Sequence, residues 1–377
     1  MRIAFVVHDY NRTHGHSRYV VELAERFAVE HEVHVFANRF EDLPSRITGH
    51  RVPAIRASAL LSIFSFVIPA TLMVGQDFDI VHAQGLTMRG ADVITAHICN
   101  ARWLEGRRLL EGGHAPWRER VFGALVIPAE RWAFRGRQAT VIAISEALRA
   151  DLARLYDVDS DIAVIPHGVD AGQFNPGVRV THRDAVRAEL ALRPEEIAFL
   201  YVGDLRKGFT PAIRALASVA GARLVGVSRT NPQDFIALAT ASGVADRVTM
   251  CPATNQIERY YAAADALVLP TPYDAFGMVI TEAMACALPV ITTPLAGAAE
   301  LMTAGVEGLL VQSPTDVEAL AAAMRALTLS QELRERMGAA AAALMTGHTW
   351  DRVAARTLEV YRQRLAAQPA SRASLEH

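Results

Sequence analysis

The chain reads as an α/β protein built on two doubly wound parallel sheets, and three observations carry that reading. Short β-branched apolar runs recur along it, each followed by a stretch of helical periodicity, the alternation expected of parallel strands covered by helices on both faces. The alternation falls into two blocks, parted by the turn-rich segment Ile165-Pro166-His167-Gly168-Val169-Asp170-Ala171-Gly172. The length, 377 residues, exceeds what one hydrophobic core normally supports. Two blocks of this kind predict two Rossmann-like domains.

Strands are expected in the first block at Ile3–Val7, Val33–Ala37, Ile80–Ala83, Asp92–His97, Ala139–Ile144 and Ile162–Ile165. The second block repeats the pattern at Phe199–Val202, Arg223–Val227, Arg247–Cys251, Ala266–Leu269, Val290–Thr292 and Leu309–Val311. An Arg/Glu-rich stretch from Thr181 to Leu192 reads as a polar helix leading into the second block. Val353, Thr357, Leu358, Tyr361 and Leu365 fall at helical spacing and predict a last amphipathic helix, over about 350–366, that packs back on the first domain. The expected domains are residues 1–166 and 167–349. Ligands of open parallel sheets bind at the carboxyl ends of strands, so two facing sheets predict an interdomain cleft.

Composition narrows the class. The chain is 51% apolar with a net charge of −2, which argues against disorder and against a nucleic-acid binder with its basic excess. Cys99, Cys251 and Cys286 stand far apart in apolar surroundings and read as buried thiols of a cytoplasmic protein, not as a disulfide or zinc set. Met1–Val7 is too short and too soon interrupted by His8-Asp9 to be a signal peptide, and Leu375-Glu376-His377 resembles an expression scar. The apolar stretch Ala54–Gly75 approaches a membrane span in length, but Arg56, three serines and Pro69 interrupt it. It predicts a helix buried in the domain or resting on a membrane surface.

Among 38 basic residues only Lys207 is a lysine, and it follows an apolar strand in the turn Gly203-Asp204-Leu205-Arg206-Lys207-Gly208. A compact ammonium with three movable donors suits a phosphate. The richest segment runs from Leu269 through Asp274, Ala275, Phe276 and Gly277 into Met278, Val279 and Glu282. Gly277 before an apolar run sets free backbone N–H groups at a helix start, a ready anion site. Asp274 and Glu282 could accept bonds from sugar hydroxyls; the plain alternative is a helix N-terminal acid and a solvated helix residue.

These motifs together resemble the retaining GT-B glycosyltransferases of family 4. That family's carboxylate pair, with seven residues between, is followed by Ala-Met-Ala and a Pro-Val-Ile strand. Here stand Asp274, Glu282, Ala283-Met284-Ala285 and Pro289-Val290-Ile291. Val164–Asp170, Tyr260–Asp265 and Leu295–Glu300 resemble further family segments. The resemblance implies the GT-B fold and a metal-independent hexosyl transfer from a nucleotide sugar, in envelope glycolipid, polysaccharide or glycoconjugate synthesis. It implies roles position by position. Glu282 would hold the nucleotide's ribose; Asp274, where the family usually has Glu, the transferred sugar. Ala275, Phe276, Gly277, Met278 and Val279 would form the loop whose amides meet sugar and phosphate, and Lys207 would meet the diphosphate. Asp204 stands where the family often has Arg, with Arg206 as a replacement two residues on. In the first domain Gly15 would lie in the glycine loop on the diphosphate, and His97 near the transferred sugar. His8, His14, His16 and His167 read as structural or loosely cleft-lining.

The Asp-x-Asp triplets Asp77/Asp79, Asp157/Asp159 and Asp159/Asp161 lie in turns, and the resembled family needs no bound metal. Residues 102–137 hold eight arginines against four glutamates, with Trp103, Trp117 and Trp132 interleaved. That mixture suits an anionic membrane or glycolipid at the inner face, or else an ordinary helix with its tryptophans in the core. A sugar-nucleotide 2-epimerase of the same fold and a non-catalytic nucleotide-sugar-binding protein remain as alternatives.

Overall fold

A computed structural model describes residues 1–13, 15–110, 117–135, 139–158 and 162–367. His14, Asp159, Asp161, Arg137 and the Leu375–His377 segment lie outside the described residues. The chain forms two compact units. The first comprises Met1–Leu104, Ala115–Gly168 and Trp350–His377, and the second Glu105–His114 and Val169–Thr349.

The main sheet of the first unit has seven strands: β1 (Arg2–Val6), β2 (Glu32–Ala37), β3 (Ile47–Arg51), β4 (Ile80–Gln84), β5 (Val93–Ala96), β6 (Thr140–Ala143) and β7 (Ala163–Val164). Their order across the sheet is β3-β2-β1-β4-β5-β6-β7, and every pairing is parallel. The second unit repeats the plan with β8 (Ile197–Val202), β9 (Ala222–Ser228), β10 (Val248–Pro252), β11 (Ala266–Leu269), β12 (Val290–Thr292) and β13 (Gly308–Leu310), ordered β10-β9-β8-β11-β12-β13. The central strands β4, β5 and β11 are buried at every residue, which is why they read as continuous apolar runs. β3 was not expected. Its Ile-Thr-Gly-His-Arg sequence sits at a sheet edge with most residues open to solvent, so it carries no apolar run.

Strand order reverses between β1 and β4 in the first unit and between β8 and β11 in the second. A parallel sheet opens a crevice at such a reversal, beyond the carboxyl ends of the strands.

The final helix runs Trp350–Ala367 and belongs to the first unit. Its buried stripe is Trp350, Val353, Ala354, Thr357, Val360 and Tyr361, so the expected Leu358 and Leu365 sit at its margin, half-buried. Tyr361 Oη lies 2.6 Å from His82 Nδ1, and His82 Nε2 lies 2.7 Å from Thr95 Oγ1, which ties this helix to β4 and β5.

The Ala54–Gly75 stretch forms a helix over Ala59–Val74, capped by Ser58 accepting from Leu61 N and stopped by Gly75 at φ 63°. It is not buried in the domain: only Phe66, Ala70 and Val74 are, while Ile68 is 67% and Leu72 78% exposed. No helix among the described residues is long and apolar enough to cross a membrane. Trp117 and Trp132, on the helix Trp117–Phe134, are exposed and not in the core. Cys99 and Cys286 are buried as expected; Cys251 is only half-buried.

Candidate functional site

In the second unit the segments leaving β8 and β11 flank the reversal point. Gly203 and Gly208, both at positive φ, bracket a 3-10 turn over Leu205–Lys207. At Gly208 a Cβ would stand 2.3 Å from the carbonyl oxygen of Pro270, so only glycine lets the turn lie against the end of β11. That approach sets Lys207 Nζ 3.0 Å from Asp274 Oδ2.

Asp274 sits in a pinned loop. Its N–H donates to Leu295 O and its carbonyl accepts from Gly297 N at 2.9 Å, while Thr293 Oγ1 donates to Thr271 O at 2.6 Å. Phe276 N donates to Asp274 Oδ1 at 3.4 Å. Ala275 and Phe276 are buried, and Met278 and Val279 half-buried. Gly277, in the left-handed region at φ 88°, opens the helix Met278–Ala285 without a capping side chain. The first amides of a helix have no partner within it, and the macrodipole adds partial positive charge there. The loop therefore presents an anion-receptive helix start beside the one lysine ammonium of the chain.

Glu282 lies farther along that helix, buried, and accepts a hydrogen bond from Tyr261 Oη at 3.0 Å. It is held separately from the Lys207–Asp274 contact. Tyr261 is fully buried on Glu258–Ala263 and was missed by sequence reasoning, which saw it only as part of a family segment. Its signal was weak, since one tyrosine of a Tyr-Tyr pair looks like any core aromatic.

Arg206 is paired with a carboxylate. Its Nε and Nη2 bind the carboxylate of Asp204 at 2.9 and 2.7 Å, and Thr230 Oγ1 donates to the same carboxylate at 3.2 Å. Burial alone would raise the Asp204 carboxyl; the bonds from Arg206 and Thr230 outweigh it and hold the group below its ordinary range. Sequence reading expected Arg206 to replace the family's arginine; in this structure its guanidinium is paired with the carboxylate two residues away, and the side chain stays largely exposed.

In the first unit, Gly15 begins the helix Gly15–Phe27, exposed, and His97 follows β5. His97 Nε2 lies 2.8 Å from Gln84 Oε1 at the end of β4. The rings of His16, Tyr19 and His167 stand 6.2, 5.1 and 5.5 Å from that of His97. Burial, then the nearby His167, His16 and His82, hold His97 well below the usual histidine range, so it is neutral near pH 7. His16 and His167, read from sequence as structural or loosely lining, pack directly on the residue singled out.

Asp77 and Asp79 accept from Arg2 by carbonyl and carboxylate respectively, and Asp157 closes the helix Glu146–Tyr156 and pairs with Arg135. Among the described residues no three His, Cys, Asp or Glu side chains gather as a metal set.

Two family patterns match in succession. "Glycosyltransferase Family 4" matches residues 13–173 and "Glycosyl transferases group 1" matches residues 182–344. The chain belongs to glycosyltransferase family 4. A D-inositol 3-phosphate glycosyltransferase of Xylanimonas cellulosilytica is 35% identical over 274 residues, covering 67% of this chain and 66% of that relative. The chain spans about half to two thirds of the length of the curated relatives it matches. Among solved structures, WaaG, a glycosyltransferase involved in lipopolysaccharide biosynthesis, superposes with a TM-score of 0.79 at 23% identity, covering 95% of this chain and 99% of WaaG. Anabaena HepE in complex with UDP-glucose gives 0.72 at 17% identity, covering 96% and 100%. At these identities the likeness concerns the fold, which is the GT-B fold of family 4 that the sequence predicted.

Proposed function

We propose that this family 4 member moves a hexosyl group from a nucleotide sugar to an acceptor hydroxyl, with retention of configuration and without a bound metal. The observation that carries the reading is the Lys207–Asp274 contact beside the Gly277 helix start, at the point where strand order reverses. In the reaction the bond between the anomeric carbon and the diphosphate oxygen breaks, and a bond from the acceptor oxygen to that carbon forms on the same face. The acceptor's proton passes to the departing diphosphate. Negative charge grows on the leaving group, and preorganised donors aimed there lower the barrier. Lys207 and the amides of Met278 and Val279 supply them, Glu282 holds the ribose, Asp274 takes a sugar hydroxyl, and His97 lies near the transferred sugar, with Gly15 lining the diphosphate. The complex of HepE with UDP-glucose supports this donor class.

The acceptor is proposed to be an envelope glycolipid or other glycoconjugate, met at the inner face of an anionic membrane. Arg89 supports that reading: its N–H donates to Thr71 on the Ala59–Val74 helix, and its guanidinium lies 4.5 Å over the ring of Trp132. It thereby joins two helices whose outward residues include Phe64, Ile68, Leu72, Trp117, Leu125 and Trp132. Arginine and tryptophan around apolar side chains suit a headgroup interface.

Thermal shift with UDP-, GDP- and ADP-sugars tests the donor site. The true donor, at about a hundredfold excess over its dissociation constant, stabilises by about 3 kcal/mol, and product analysis identifies the transferred sugar. If none of these compounds shifts the melting temperature or is consumed, the reading is wrong.

A further inference from the structure

We propose that Gln84 is a positioning residue that locks His97 in its Nε2–H tautomer, so that Nδ1 stands as a hydrogen-bond acceptor for a hydroxyl of the bound sugar. The Gln84 side chain is buried at the last position of β4, and its Oε1 lies 2.8 Å from His97 Nε2. A carboxamide oxygen can only accept, so Nε2 carries the proton and Nδ1 keeps its lone pair. Nδ1 is shielded from solvent and makes no hydrogen bond among the described residues. Leaving a shielded acceptor unmade is costly unless a partner arrives later. The charged form is suppressed from every side. The Gly15–Phe27 helix contributes His16 and Tyr19, β4 contributes His82, and the segment after β7 contributes His167, itself pushed down to about 3 by burial and then by Arg18. No carboxylate is among the groups that shift His97. A neutral acceptor-type imidazole suits a hydroxyl donor, and rejects a carbonyl or phosphate oxygen at the same point.

The ligand part of this inference rests on the nucleotide-sugar reading; the tautomer part does not. Nitrogen-15 NMR of histidine-labelled full chain, with His97 assigned by its loss in His97→Asn, should show protonated Nε2 and bare Nδ1 in the free protein. Addition of UDP-glucose as probe should shift the Nδ1 signal. In Gln84→Glu the carboxylate facing Nε2 raises the His97 pKa, so NMR titration should move toward neutrality. Turnover should then lose activity on the acid side, where Nδ1–H can no longer accept. Gln84→Leu should cut kcat/KM about tenfold, one lost hydrogen bond, with Gln84→Glu recovering most of it at high pH. Protonated Nδ1 in the free wild type, or an unmoved His97 titration in Gln84→Glu, overturns the assignment. If no nucleotide sugar is bound or consumed, the transferase reading fails while the tautomer measurement still decides this one.

Discussion

Lys207 holds its partner loosely. Its ammonium sits 3.0 Å from Asp274 with both side chains partly exposed, a pairing worth no more than about 1 kcal/mol. A diphosphate offers more charge and can share or displace that ammonium. Replacing Lys207 with alanine should lower kcat by about a hundredfold or more, as loss of one charge-stabilising donor does elsewhere. Lys207→Arg should recover only part, because a planar fork presents its donors differently from the compact ammonium beside Asp274. Steady-state kinetics on the pair of variants checks both statements; full activity in the alanine variant would remove Lys207 from the chemistry. Lys207, Asp274 and Gly277 were legible as residue types in the right order after strands. The Asp204–Arg206 clamp was not. Residues two apart do not face each other in a regular helix, and only the turn set by Gly203 at φ 125° folds them together.

At the scale of elements, the Trp117–Phe134 helix joins an outward apolar face to a buried acid. Glu130 receives a bond from Asn100 Nδ2 at 2.6 Å and a short one from Tyr156 Oη, and burial pushes its carboxyl up to about 7 against the pull of those bonds. The folded value lies above the unfolded one, so the protonated carboxyl stabilises the fold at low pH. That contribution is lost as pH rises from the unfolded value toward about 7. The unfolding free energy should fall by about 3 kcal/mol as pH rises from the ordinary carboxyl range to about 7, and Glu130→Gln should flatten the profile; an unchanged profile in the variant would count against Glu130 as its source. The double substitution Ile68→Glu with Leu72→Glu should abolish sedimentation with anionic liposomes and leave the melting temperature nearly unchanged, since both side chains are already open to solvent. Equal binding by the variant would separate this face from the membrane. The sequence marked the helix, through its apolar run, serine cap and closing glycine. It did not show which face turns outward, because that depends on what Phe66 meets: the ring of His8, 4.5 Å away.

For the whole molecule, the duplicated strand order means that each unit has its own reversal point and its own core, and most of this was legible because buried parallel strands cannot hide their apolar runs. The exceptions are edges. β3 has an open face, and the two-residue strands Asp9–Tyr10 and Arg39–Phe40 that pair beside the main sheet are too short to distinguish from loop. The return of the last helix to the first unit has a direct consequence. Ending the chain at Thr349 removes Trp350 and Tyr361 from a packed core and leaves His82 Nδ1 without its partner. Hydrogen exchange of the shortened chain should show protection lost across β4 and β5 but kept across β8 and β11. Uniform retention would mean that the helix is dispensable.

A chain with one lysine carries just two primary amines, the ε-amine of Lys207 and the amino terminus. Acylating reagents that scatter over an ordinary protein surface have a single side-chain target here, and it lies beside the helix start that opens at Gly277. Intact-mass spectrometry after brief acetylation therefore becomes an occupancy meter: the rate of the side-chain adduct reports how often that amine is uncovered. A bound diphosphate should slow it without any label, antibody or coupled assay.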